Sequence, residues 1–120
     1  MIKNLFLVGI GGGIGSMARF LSYQLVKSNS SFLTTLVINI IGSLLIGIVF
    51  GISLKNSTFE NNWKLFIATG ICGGFTTFSA FSIENIQLIQ EGKWNWSLLY
   101  ISSSIILGIS AALLGFKISG

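Results

Sequence analysis

The hydrophobic pattern divides the chain into four long apolar blocks. The blocks cover residues 2–26, 32–54, 63–89 and 94–118, and short polar segments separate them. A helix needs about 20 apolar residues to cross a bilayer, so each block is long enough for one transmembrane helix. A β-barrel would show alternating segments of about ten residues instead. The pattern therefore predicts an all-α integral membrane protein whose four helices form one transmembrane domain over residues 1–120.

Tryptophans support these boundaries, because amphipathic rings prefer the membrane interface. Trp63, Trp94 and Trp96 stand at block edges. The first block also has features of a secretory signal, with Lys3 before an apolar run and a small-residue site at residues 16–18. We favour a retained span, because glycines interrupt the run and three further spans follow.

Composition supports the membrane as the solvent. Hydrophobic residues make up 52% of the chain and charged residues only 8%, with a mean hydropathy of +0.84. A soluble domain carries about 25% charged residues. The net charge of +4 comes from dispersed basic residues, so nucleic acid, which needs a basic patch, is not an expected partner. Without histidine, and with Cys72 as its single cysteine, the chain has no histidine-based catalysis and no intrachain disulfide.

The basic residues give little topological bias under the positive-inside rule. Lys3, Lys55, Lys64 and Lys117 fall on the side that holds both termini, whereas Lys27, Lys93 and, if it reaches outward, Arg19 fall on the other. A weakly biased chain can insert both ways, which would allow an antiparallel homodimer. A single orientation set by smaller effects is the open alternative.

Small residues recur four positions apart and predict close helix contacts. The pairs and triplet are Gly9/Gly13, Gly11/Gly15, Gly47/Gly51, Gly70/Gly74 and Ser104/Gly108/Ala112. Spacing leaves open whether they pack within one chain or between chains. The first cluster is not a dinucleotide loop, because Ile14 occupies the third glycine position of that pattern.

The third block carries the sequence Gly70–Ser82, in which a Gly-Gly pair precedes Thr76 and Thr77. These residues are poor helix formers, so a break is expected there. A break would release backbone carbonyls at membrane depth, and an unwound segment of this kind commonly holds a small cation. Na⁺ suits a cage of neutral carbonyls, whereas Mg²⁺ or Ca²⁺ would require carboxylates.

Polar and aromatic groups around this break indicate an anion. Phe78 and Phe81 share a helix face, and positive ring edges can stabilise an anion. Hydroxyl and amide donors accompany them at Asn39, Thr77, Ser79, Ser82, Tyr100 and Ser104, with Glu84 as the nearby acid. A cation pathway would require carbonyl or carboxylate rings. The alternatives are core packing for the phenylalanines, an interhelical hydrogen bond for Asn39 and backbone bonding for the serines.

Over nearly its whole length the chain resembles the Fluc (CrcB) fluoride channels. The matching segments are Gly12-Gly13-Ile14-Gly15 followed by Arg19, then Val37-Ile38-Asn39-Ile40-Ile41-Gly42-Ser43, and then the long run from Gly70 to Ser82. The resemblance implies an antiparallel dual-topology homodimer with a broken third helix, two fluoride pathways and a central structural Na⁺. It also implies a passive channel rather than an enzyme, with no organic cofactor, located in the inner (cytoplasmic) membrane.

The resemblance also assigns residue roles. The backbone carbonyls of Gly73 and Thr76 would hold Na⁺. The pore would be lined by Asn39, Thr77, Phe78, Phe81, Ser82, Tyr100 and Ser104, and the vestibules by Arg19 and Glu84. At four positions this chain departs from residues that are frequent in the family, namely Ser16, Ala80, Gly108 and Ala112. These departures change the series of hydroxyl donors expected along the pore.

Two other functions fit a small membrane protein. A proton-coupled exporter would need a membrane carboxylate, for which Glu84 is the candidate. A structural or holin-like protein would leak large solutes and would not need Asn39 or the phenylalanine pair.

Overall fold

The computed structural model describes residues 1–26, 31–55 and 62–120. The helices are α1 (Ile2–Leu25), α2 (Ser31–Lys55), α3 (π-helical over Leu65–Cys72, then α-helical over Gly73–Phe75), α4 (Phe78–Gln90) and α5 (Trp94–Ser119). Helices α3 and α4 together make the third candidate span, Leu65–Gln90. Within these ranges, four helical stretches are long and apolar enough to cross a membrane, as the hydrophobic pattern predicts.

The span boundaries lie close to the predicted ones, and the third connection is a tight turn. Helix α4 ends at Gln90, after which Gly92 takes a φ of 76°, in the left-handed region that favours glycine. Gly92 N–H donates to the Ile89 carbonyl and Lys93 N–H donates to the Leu88 carbonyl, so the turn satisfies the end of α4. The predicted loops at residues 27–31 and 55–62 lie almost entirely outside the described residues.

Helix α1 packs against α3, and α2 packs along α5. The first contact depends on missing side chains: a Cβ at Gly15 would collide with the Ile71 carbonyl, and one at Gly11 would lie 3.0 Å from the Gly70 Cα. In the second pair, a Cβ at Gly47 would collide with the backbone of Ala112. These small residues therefore pack within one chain, which is one of the two alternatives that their spacing left open.

The Gly9/Gly13 pair behaves differently. A Cβ at either position would meet no other atom within 4 Å, so this face of α1 is open in the single chain. Its spacing stays compatible with a contact between chains.

Most large apolar side chains lie on the outside of the bundle. The buried hydrophobic residues among those described are Ile38, Val49, Cys72, Leu88 and Tyr100. Side chains such as Ile109 and Leu98 are more than 60% exposed. A surface of this kind requires an apolar solvent. Together with its four candidate spans, it makes this chain a multi-pass membrane protein.

Candidate functional site

The third span is interrupted at Thr76 and Thr77. Thr76 (φ −77°, ψ 155°) and Thr77 (φ −148°, ψ 120°) have extended backbones between α3 and α4. The predicted break is therefore present, although Gly73 itself keeps helical dihedrals. Thr77 begins α4 as its N-cap, because its Oγ1 accepts a hydrogen bond from Ala80 N–H at 3.2 Å.

Asn39, on α2, pairs with the backbone of the break. Thr77 N–H donates to Asn39 Oδ1 at 2.9 Å, and Asn39 Nδ2 donates to the Thr77 carbonyl at 3.2 Å. The interhelical hydrogen bond considered for Asn39 is therefore formed. The amide keeps one N–H and further acceptor capacity for another partner.

These hydrogen bonds change the partners of two carbonyls. In a continuous α-helix, Thr77 N–H would bond to the Gly73 carbonyl, and Ala80 N–H would bond to the Thr76 carbonyl. Here Thr77 N–H is engaged by Asn39, and Ala80 N–H by Thr77 Oγ1. The carbonyls predicted to hold a cation are therefore among those that lose their helical partners at the break.

Arg19 forms a hydrogen bond with another carbonyl near the break, that of Gly74. Its Nε donates to the Gly74 carbonyl at 3.2 Å, so the guanidinium lies against the end of α3. A groove of about 420 Å³ opens beside this region. Its lining is Asn39, Gly42, Ser43, Ile46, Ala68, Thr69, Cys72, Gly73 and Thr76. In the described residues, no group of three or more histidine, cysteine or acidic side chains could hold a metal ion, so a cation here would depend on backbone oxygens.

Three aromatic rings follow the break in a row. The Phe78 and Phe81 rings are tilted, with centroids 5.6 Å apart. Phe81 meets the Tyr100 ring edge to face at 4.9 Å. Phe78 is 77% exposed in the single chain, whereas Tyr100 is 3% exposed. The row thus extends from the interior of the bundle to an uncovered face.

Glu84 lies in a buried cluster of hydroxyl groups. Its Oε1 accepts a hydrogen bond from the Tyr100 hydroxyl at 2.8 Å, and its Oε2 accepts one from Thr35 Oγ1 at 2.7 Å. Tyr23 OH, on α1, forms a hydrogen bond with Thr35 Oγ1. One edge of this cluster opens into a small polar pocket of about 130 Å³ that Glu84, Lys93 and neighbouring residues line. The carboxylate is thus held by neutral donors from two helices.

The remaining predicted hydroxyls divide into two groups. Ser82 Oγ donates to the Phe78 carbonyl of its own helix at 3.0 Å, and Thr77 Oγ1 lies 3.2 Å from Ser79 Oγ. Among the described residues, Ser104 Oγ is the buried side-chain polar atom without a hydrogen-bond partner. Backbone bonding therefore describes Ser82, whereas Ser104 keeps a hydroxyl for another group.

Comparisons with known proteins identify the family. The family profile described as "CrcB-like protein, Camphor Resistance (CrcB)" matches residues 6–116. The chain belongs to the CrcB family. The family resemblance predicted from the sequence motifs is thereby confirmed.

Relatives in the CrcB family match over nearly their full length. A protein of Azobacteroides pseudotrichonymphae named "Fluoride-specific ion channel FluC" is 52% identical over 97% of this chain and 95% of its own. One with the same name from Flavobacterium psychrophilum is 43% identical over 98% of both chains. "Fluoride-specific ion channel FluC 1" of Yersinia pseudotuberculosis is 42% identical over 94% of this chain and 87% of its own. These names describe channels, not enzymes.

Within this CrcB chain the predicted site residues form two neighbouring groups. Asn39, Gly73, Thr76 and Thr77 meet at the break, with Arg19 on the adjacent carbonyl. Phe78, Phe81, Tyr100 and Glu84 form the second group, and Ser104 lies one helical turn along α5 from Tyr100.

Two participants were missed from the sequence. Thr35 and Tyr23 complete the Glu84 cluster, yet both resemble ordinary membrane-helix residues. The sequence did carry one signal for them. Burying the Glu84 carboxylate costs free energy unless neighbouring groups donate hydrogen bonds to it, so donors near Glu84 were to be expected.

Proposed function

We propose that this protein is a fluoride-selective ion channel that exports fluoride passively across the cytoplasmic membrane. The observation that carries the proposal is the row of the Phe78, Phe81 and Tyr100 rings, with the unpartnered hydroxyl of Ser104 one helical turn along α5 from Tyr100. Relatives named as fluoride-specific channels supply the identity of the ion. A channel catalyses no reaction, so the protein is not an enzyme.

The chemistry of the row favours a small anion. Phe78, Phe81 and Tyr100 have rings with positive edges, Ser104 has an O–H group without a partner, and Asn39 retains an amide N–H. The acid nearby, Glu84, has both oxygens occupied by donors. An ion that loses its hydration in a narrow path needs donors at each step, and a smaller halide fits them more closely than chloride does.

We further propose an antiparallel dual-topology homodimer with two pores. A single chain leaves Phe78 exposed, and the groove beside the break is open. A second copy would cover both features and would complete each pathway. The weak asymmetry of basic residues supports insertion in both orientations.

A structural Na⁺ at the centre of the dimer fits the residues present. The carbonyls of Gly73 and Thr76, which the capping bonds of Asn39 and Thr77 separate from their helical N–H partners, would hold the ion. Hard oxygen ligands without charge suit a monovalent cation. Bound Na⁺ would supply a positive charge for the oxygen ends of these carbonyl dipoles.

Passive export follows from acid–base chemistry. In a weakly acidic environment fluoride enters cells as HF and dissociates at the higher internal pH. An open fluoride pathway lets the trapped anion leave, and an inside-negative potential assists it. The expected result for the cell is a lower internal fluoride concentration and fluoride resistance.

The test is fluoride efflux from liposomes that contain the purified protein. Valinomycin and K⁺ clamp the voltage, a fluoride electrode reads the efflux, and chloride efflux is measured in parallel. Fast fluoride loss without chloride loss supports the proposal. Absence of fluoride loss from folded protein refutes it, and flux that requires a proton gradient and stops in Glu84→Gln supports a proton-coupled exporter instead.

A further inference from the structure

We propose that Tyr23 is a positioning residue that acts on Glu84 through Thr35. By donating to Thr35, Tyr23 strengthens the Thr35 hydrogen bond to the carboxylate, which then remains satisfied when the Tyr100 hydroxyl turns to a passing anion. This inference rests on the proposed function, because it assigns Tyr23 a part in fluoride conduction.

The contacts form a continuous chain across three spans. Tyr23 OH on α1 reaches Thr35 Oγ1 on α2, and Thr35 Oγ1 reaches Glu84 Oε2 on α4 at 2.7 Å. Tyr100 on α5 then bonds to the other carboxylate oxygen at 2.8 Å. Thr35 is 0% exposed and Glu84 is 7% exposed, so the bond between them is buried.

Counting protons determines the direction of each bond. Thr35 has one hydroxyl proton but three neighbours, namely Tyr23 OH, the Ser31 carbonyl at 3.2 Å and Glu84. The bond to Glu84 is shorter and charge-assisted, so the Thr35 proton points to Glu84 rather than to the Ser31 carbonyl. Glu84 Oε2 accepts the Thr35 proton, so Tyr23 is the donor in its bond to Thr35 Oγ1. Donation from Tyr23 polarises the Thr35 hydroxyl and thereby strengthens the bond from Thr35 to Glu84.

Glu84 needs this second donor because the Tyr100 hydroxyl, its other donor, must leave it to reach an anion. The single hydroxyl proton of Tyr100 points at Glu84, so it reaches an anion only after leaving the carboxylate. Within the described residues, the hydrogen bonds that Glu84 accepts come from the Thr35 and Tyr100 hydroxyls. With Thr35 held as a strong donor, Glu84 retains one bond when Tyr100 leaves. Without Tyr23, the Thr35 bond to Glu84 loses this support, so the carboxylate is held less strongly when Tyr100 leaves.

The first arm measures fluoride flux in reconstituted full-length protein. Tyr23→Phe keeps the ring and removes the hydroxyl, and we expect flux to fall about two- to tenfold, the range of one hydrogen bond. Thr35→Val should lower flux at least as much, and Thr35→Ser should restore most of that loss. In the Thr35→Val background, Tyr23→Phe should cause no further fall, since both act through one chain.

The matched control is Ser22→Ala, beside Tyr23 on α1. The Ser22 hydroxyl bonds to the Ala18 carbonyl of its own helix at 2.8 Å and takes no part in the chain. Its flux should equal that of the wild type. Melting temperature and dimer fraction are measured for every variant, because a purely structural role for Tyr23 would lower flux only in proportion to the loss of folded protein.

The second arm is infrared spectroscopy of the Glu84 carboxylate, whose stretching band responds to the hydrogen bonds it accepts. The band is assigned by its loss in Glu84→Gln. A shift in Tyr23→Phe, absent in Ser22→Ala, together with lower flux from folded protein, supports the inference. An unchanged band, or a shifted band with wild-type flux, overturns it. If the wild type carries no fluoride, the proposed function and the conduction role of Tyr23 both fail, whereas a shifted band would still establish the chain of hydrogen bonds.

Discussion

Asn39 and Thr77 form a reciprocal pair of hydrogen bonds that joins α2 to the break in the third span. One backbone N–H and one backbone carbonyl of Thr77 are satisfied by a single side chain, at 2.9 and 3.2 Å. Neither group could find a water partner in hydrocarbon, so an irregular backbone at this depth needs such a side chain. Asn39 is therefore a structural partner of the break as well as a predicted pore residue.

Replacing Asn39 with Leu should destabilise the folded protein. Two buried backbone groups would lose their partners, at about 1–3 kcal/mol each. Asn39→Asp should cost less, because a carboxylate still accepts from Thr77 N–H, yet its charge should lower fluoride flux. Denaturant unfolding in detergent gives the stability, with Val37→Ala on the exposed face of α2 as the control. Equal stability of Asn39→Leu and the control would contradict the assigned pairing.

The glycines of α1 should divide into sensitive and tolerant positions. Gly15→Ala would force a methyl group against the Ile71 carbonyl and the backbone of Phe75, and overpacking of this kind costs about 1–3 kcal/mol or more. Gly13→Ala meets open space in the single chain and raises helix propensity. Melting temperatures in detergent should fall for Gly15→Ala only. A comparable fall for Gly13→Ala, together with loss of dimer, would place that face of α1 in an interface.

Phe78→Ile and Phe81→Ile should each lower fluoride flux while the dimer still assembles. Isoleucine keeps much of the volume but removes the ring edge, and Phe81→Ile also removes the edge-to-face contact with Tyr100. Flux and dimer fraction are measured on the same samples. Wild-type flux in both variants would eliminate the ring edges as determinants of conduction.

Ser104→Ala should separate conduction from stability. The Ser104 hydroxyl is buried without a partner, so its removal should leave stability unchanged or raise it by about 1 kcal/mol. Flux should fall about tenfold or more, since hydrogen bonds to charged groups are worth about 1.5–3 kcal/mol. Ser97→Ala is the reciprocal control: the Ser97 hydroxyl donates to Asn85 at 2.8 Å, so this variant should lose stability and keep most of its flux. Retained flux in Ser104→Ala would remove Ser104 from the pathway.

Removal of Na⁺ should weaken the dimer. If the carbonyls of Gly73 and Thr76 share a cation, replacing Na⁺ with a large organic cation should lower the dimer fraction, measured by crosslinking or subunit exchange. Gly73→Val should have a similar effect, because a branched side chain would intrude where Gly73 is exposed beside the groove. A dimer indifferent to both changes would argue against a structural cation.

The four transmembrane spans and the break in the third span were predictable, because each is determined by residues close together in the sequence. Apolar length sets the spans, and poor helix formers at residues 73–77 set the interruption. The predicted pairing of Phe78 with Phe81 follows from helical spacing, and their rings are indeed adjacent.

The Tyr23–Thr35–Glu84 contacts were not predictable in the same way. They join residues 12 and 49 positions apart, so they depend on how α1, α2 and α4 are arranged around one another. Neither helical spacing nor side-chain chemistry determines that arrangement. The placement of Arg19 against Gly74, 55 residues away, has the same origin.

The π-helical winding of Leu65–Cys72 has a consequence for everything that follows it. A π-helix closes its hydrogen bonds over five residues rather than four, so each turn holds an additional residue. The direction in which Gly73, Thr76 and Phe78 point around the helix axis is therefore set by the residues that precede them. Deleting one residue there would let the segment rewind as an α-helix and would rotate the downstream groups away from their partners. The winding of this segment thus determines the direction in which the groups of the site point.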